Sequence, residues 1–72
     1  MSTFKLMSQA GYSSLNLGSD DSKIEIYLRH FNSGRWEIER TSYGTPYLRT
    51  SRDITTSQAE TLLNSYDARG MR

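Results

Sequence analysis

The chain predicts an α+β fold: an antiparallel β-meander of four to five strands with one C-terminal α-helix packed on one face, in two layers. Three observations carry this. Residues 23–31 and 35–41 alternate apolar and polar side chains with period two, on either side of a short Gly-containing loop. Ala59, Leu62, Leu63 and Tyr66 recur at helical spacing. A length of 72 residues with no cysteine leaves a single domain, 1–72, that disulfides cannot staple.

Taken in order, Phe4 and Leu6 predict a short first strand, broken from the next near Gly11. Leu15 and Leu17 alternate with Asn16, and a turn at residues 19–22 sets Leu17 opposite Ile24 and Leu15 opposite Ile26.

In the next strand Ile24, Ile26, Leu28 and His30 share one face, and Glu25, Tyr27, Arg29 and Phe31 the other. Across the loop Asn32-Ser33-Gly34, Trp36, Ile38 and Arg40 oppose Arg35, Glu37, Glu39 and Thr41. A three-residue loop pairs Leu28 with Ile38 and His30 with Trp36 on one face, and Arg29 with Glu37 and Tyr27 with Glu39 on the other. A loop shorter by one residue would oppose Leu28 to Glu39 and mix the faces, so the longer loop is expected.

A further strand is expected over residues 46–51, after a turn at Tyr43-Gly44-Thr45, with Pro46 at its start. This sets Glu39 opposite Arg49 and Arg40 opposite Leu48, and avoids opposing Arg40 to Arg49. The helix is expected over residues 56–69, with Thr55 and Gln58 forming a capping box (Ser57 and Glu60 offer a second register) and Gly70 as its stop. Its stripe should cover a sheet face of Leu15, Leu17, Ile24, Ile26, Leu28, Trp36, Ile38 and Leu48.

Composition narrows the function. Without cysteine there is no thiol nucleophile and no thiolate for zinc, and a single histidine leaves no His-rich metal site. No glycine-rich phosphate loop occurs, and Asp20-Asp21 lacks the alternating oxygen ligands of a calcium loop. The expectation is therefore no enzyme, no catalytic residue, no metal and no cofactor. The longest apolar run is Leu62-Leu63, far below the roughly 20 residues of a membrane span. The N-terminus lacks the apolar stretch of a secretory signal, which points to a cytoplasmic protein. Met1 reads as an initiator and the chain as a complete small gene product.

A net charge of +1 argues against a strong duplex-DNA binder and equally against an acidic DNA mimic. Seven of the nine basic residues are Arg, the cation favoured at protein interfaces. The sheet face left without a helix carries the candidate partner-binding residues Tyr27, Arg29, Phe31, Arg35, Tyr47 and Arg49, with Glu37 and Glu39 between them. Tyrosine and arginine dominate binding hot spots. The competing view is that Arg29–Glu37 and Glu39–Arg49 merely stabilise a solvated sheet. His30 and Trp36 read as core neighbours. Arg40, on the apolar face, should snorkel to the rim or pair with Asp53 or Asp67. Glu37 and Glu39 should point to open solvent.

The expected function is a protein-binding module that occludes or inhibits a larger protein. The alternative is binding of single-stranded nucleic acid (RNA) to the open sheet face. It lacks the aromatic motif of RNA-recognition domains, and the glutamates on that face oppose phosphate. A homodimer pairing two such faces is a third reading. In size, initiator Met and lack of catalytic groups, the chain is similar to the single-domain inhibitors that phages and mobile elements carry, anti-CRISPR proteins among them. That likeness is one of size class, and it implies action on a protein target, in the host cytoplasm if the chain is phage-encoded.

Overall fold

The computed structural model describes residues 2–19 and 23–70. Among them run α1 (Thr3–Gln9), β1 (Ser13–Ser19), β2 (Ile24–His30), β3 (Trp36–Ser42), β4 (Leu48–Ile54) and α2 (Thr56–Gly70). The strands form one antiparallel sheet in the order β1-β2-β3-β4, a meander with both helices on one face. The α+β two-layer prediction therefore holds, with four strands.

The β2–β3 hairpin has the expected register: Leu28 opposes Ile38, His30 opposes Trp36, Arg29 opposes Glu37 and Tyr27 opposes Glu39. Phe31 N–H donates to the Arg35 carbonyl at 2.9 Å and Gly34 N–H to the Phe31 carbonyl at 2.8 Å, which closes the loop. Gly34 has φ +90°, where a side chain would be strained.

The first predicted strand is instead α1. Ser2 caps it, its hydroxyl accepting from Lys5 N–H at 3.1 Å. Phe4 and Met7, three residues apart, then point the same way: Phe4 stacks on Trp36 at 5.6 Å and Met7 is buried in the core. A strand would also have put these two on opposite faces.

Two registers differ from expectation. In β1–β2, Leu15 opposes Leu28 and Gly18 opposes Ile26, with Leu17 as a bulge between them. Asn16 and Gly18 build the bulge: the Asn16 side chain accepts from Gly18 N–H at 2.7 Å, and Gly18 takes φ +108°. Both Leu15 and Leu17 still pack against the core. The turn expected at residues 19–22 falls largely on residues 20–22, outside the described residues. In β3–β4 the pairing is shifted by two, so that Trp36 opposes Ile54, Thr41 opposes Arg49 and Ser42 opposes Leu48. A shift of two preserves the faces. It leaves Pro46, which has no N–H to give to a ladder, in the loop, and it brings Ile54 to the core.

The capping box forms as expected: Gln58 N–H donates to the Thr55 hydroxyl at 3.1 Å and Thr55 N–H to the Gln58 side chain at 2.9 Å. Helix α2 buries Ala59 and Leu63 against Leu28 and Trp36, with Ile38 and Ile54 partly buried around them. His30 packs on Trp36 at 4.5 Å. Its Nδ1 lies 2.5 Å from the Gly11 carbonyl, which can only accept, so Nδ1 carries the proton. The core thus sits at the end of the sheet where His30, Trp36 and Ile54 align. The apolar face is not covered along its whole length: Leu48, expected inside, is 55% exposed at the far end.

Candidate protein interface

The face opposite the helices collects alternate residues of β2, β3 and β4, extended by the two hairpin loops. Tyr27 and Arg29 stand on β2, Glu37, Glu39 and Thr41 on β3, and Arg49 and Asp53 on β4. Phe31 and Arg35 flank the β2–β3 loop. Five of the six predicted interface residues therefore share this face. The sixth, Tyr47, precedes β4 in the β3–β4 loop and is 59% exposed.

The centre of the face is an ion-pair network around Glu39. Arg29 donates to one Glu39 oxygen across the β2–β3 pair and lies 3.5 Å from Glu37. From β4, Arg49 Nε lies 2.9 Å from the second oxygen, and the Thr41 hydroxyl donates to that oxygen at 3.2 Å. Glu39 is consequently only 5% exposed, against the expectation that it points into open solvent. The guanidinium and hydroxyl donors roof it over, although no helix covers this face. The hydrogen bond from Arg29 is the main force holding the Glu39 carboxyl below its ordinary range, with burial opposing and Arg49 assisting. The same bond raises Arg29.

Aromatic groups flank this network at both ends. At one end the Arg35 guanidinium lies over the Phe31 ring at 4.2 Å, and Tyr12 meets Phe31 edge-on at 5.6 Å. Arg35 is anchored to Asp53 at 2.6 Å. At the other end Tyr43 meets Tyr47 edge-on at 5.8 Å and donates its hydroxyl to Glu25 at 2.7 Å. That bond is the main reason the Tyr43 phenol is pushed up to about 12. Tyr27 lies close by, 5.7 Å from the Arg29 guanidinium.

Tyr12 and Tyr43 were not among the expected interface residues, yet period-two alternation places both. Ser14 opposes Arg29, so position 12 continues the same face of β1; position 43 continues the series 37, 39, 41 of β3. Of the two outcomes expected for Arg40, reaching the rim or pairing with Asp53 or Asp67, the pairing does not form. Asp53 is taken by Arg35, and Asp67 accepts from Thr3. Arg40 is exposed on the helix-side face.

Among the described residues no group of three or more His, Asp or Glu is placed to hold a metal ion, and no helix is long and apolar enough to cross a membrane. Compared with protein-family models, curated proteins and solved structures, the chain matches none.

Proposed function

We propose that this chain is a non-enzymatic protein-binding module whose open sheet face docks on a larger protein and blocks a site that another ligand needs. In this reading it is a cytoplasmic inhibitor of the kind carried by phages and mobile elements, anti-CRISPR proteins among them. The observation that supports it is the composition and order of that face. Tyr27, Tyr43 and Tyr47 gather at one end, Phe31 and Arg35 at the other, and the arginines between them are already held by carboxylates. Anchors fixed before docking lose little side-chain entropy on binding, and Tyr and Arg are the residue types that dominate hot spots.

The charge of the face favours protein over nucleic acid. Arg29, Arg35 and Arg49 are set against Glu25, Glu37, Glu39 and Asp53, so no net positive field remains to hold phosphates.

Photo-crosslinking tests the proposal. A benzophenone amino acid placed at position 47 should yield a discrete protein adduct in lysate of the source cells. The same group at Glu60, on the outer surface of α2, should not. The variant Y27S/F31S carrying the benzophenone at position 47, shown to be folded by circular dichroism, should lose the adduct. Absence of an adduct at position 47, or its persistence in Y27S/F31S, would overturn the proposal. So would tight, salt-sensitive binding of a single-stranded oligonucleotide to this face.

A further inference from the structure

We infer that the helix-side face beside β4 is a second interaction surface, built to take an amphipathic helix of a partner protein that carries acidic residues next to its apolar stripe. The inference rests on different residues from the open face and stands without it.

The surface is a groove of about 400 Å³ between β4 and α2, with Ile38 and Ile54 as its floor and Gln58, Thr61 and Leu62 as its helical wall. It continues past Arg52 into a second depression of about 190 Å³ beside Ile26, Arg40 and Thr50. Ile38 and Arg52 line both, so the two are one trough. Its origin is geometric. Helices α1 and α2 pack over the end of the sheet bearing Trp36 and leave β4 almost wholly exposed. The molecule is correspondingly flat, 38 × 32 × 17 Å. The trough runs along this exposed strand beside α2.

Charge selects the occupant. The strand positions on this face include Arg40 and Arg52 and no carboxylate. The helical wall contributes only neutral side chains, Ser57, Gln58, Thr61 and Leu62. Neither arginine is ion-paired among the described residues, whereas Arg29, Arg35 and Arg49 on the other face are each paired. An apolar floor with two unneutralised guanidiniums fits an apolar stripe flanked by carboxylates. The spacing agrees. Ile38 opposes Arg52 and Arg40 opposes Thr50, so the two arginines are diagonal neighbours, about 7–8 Å apart. Acidic residues one helical turn apart stand about 5–6 Å from each other, within reach of both. A second copy of this chain is a poor occupant, because a twofold contact through this surface would join two strand faces that carry arginines and no carboxylate.

The probe is a synthetic amphipathic peptide with leucine at positions i, i+3, i+4 and i+7 and glutamate flanking the stripe one turn apart. Its control has lysine for each glutamate. With methyl-labelled full-length chain, the acidic peptide should shift the Ile38, Ile54 and Leu62 methyl resonances and the lysine peptide should not. The double variant R40E/R52E, both positions exposed, should stay folded and lose at least about tenfold in affinity. The variant Y27S/F31S/Y47S should bind the peptide as the parent does, which separates this surface from the open face. Equal response to both peptides, no response up to about 1 mM, or indifference to the arginine reversal would overturn the inference. Concentration-dependent shifts of the same methyls without peptide would assign the groove to a second copy and overturn it as well.

Discussion

Arg29 and Glu39 face each other diagonally across β2 and β3, and their bond buries a carboxylate on the one face of the sheet that no helix covers. A domain this small cannot cover both faces with helices. Here the second face is closed by its own side chains, with Arg29, Arg49 and Thr41 supplying the donors that solvent would otherwise provide. No buried side-chain nitrogen or oxygen among the described residues lacks a partner. Of the flanking aromatic side chains, Tyr27 lies against this network, 5.7 Å from the Arg29 guanidinium.

Removing the centre of this network should therefore matter more than removing its rim. E39Q should destabilise the fold by about 1–2 kcal/mol, seen as a lower urea midpoint. R49A, whose side chain is 60% exposed, should lose less than about 1 kcal/mol. The sign with pH follows from the lowered Glu39 carboxyl. Its contribution is complete above the unfolded value of about 4.3 and is lost as pH falls through the folded value. Urea midpoints of the parent should drop over that acidic range, and E39Q should show a smaller drop. An E39Q variant as stable as the parent would show that the network contributes nothing.

Tyr43 titrates in the opposite sense. Its bond to Glu25 favours the protonated phenol and moves it from about 10 to about 12. The stability it adds is complete below the unfolded value and is lost as pH rises through the folded one. Ultraviolet titration should show one phenol ionising near 12 in the parent. In E25A that phenol should move down toward the ordinary value, and alkaline unfolding should begin earlier. An unchanged titration curve in E25A would show that the bond does not form in solution.

Alternation and turn chemistry made much of this legible in advance. The β2–β3 register followed from Leu28 and Glu39, which cannot share a face, and the Thr55–Gln58 box located the start of α2. Five of the six candidate residues reached their face because parity alone places them there. What stayed hidden depends on tertiary contact. Parity does not distinguish a β3–β4 register from one shifted by two, so it was the burial of Ile54 beside Trp36 that decided it, and Tyr47 moved into the loop. The bulge at Leu17 is a local hydrogen bond between Asn16 and Gly18 that no hydrophobic pattern encodes. Glu39 looked solvated because parity places it on the face without a helix; its roof is the diagonal reach of Arg29 and Arg49 and the Thr41 hydroxyl, which strand pairing alone does not show.

Helix α1 was the other hidden element, and its stability should depend on one latch. At seven residues it is too short to persist by propensity. Thr3 holds it to α2, its hydroxyl donating to Asp67 at 2.5 Å and its N–H to the other Asp67 oxygen at 3.1 Å. Donation from the Thr3 hydroxyl, then from its N–H, lowers the Asp67 carboxyl. The latch should thus be complete above the unfolded carboxylate value of about 3.9 and open as pH falls through the lower folded one. Phe4 stacks on Trp36, so release of α1 exposes the indole. Trp36 emission should shift to the red over that acidic range while the far-ultraviolet signal of the sheet is retained. D67N should show part of the shift already at neutral pH. T3V, which keeps the backbone donor and loses the hydroxyl, should fall between D67N and the parent. Trp36 emission that moves only together with global unfolding in all three proteins would show that Thr3 and Asp67 do not control the docking of α1.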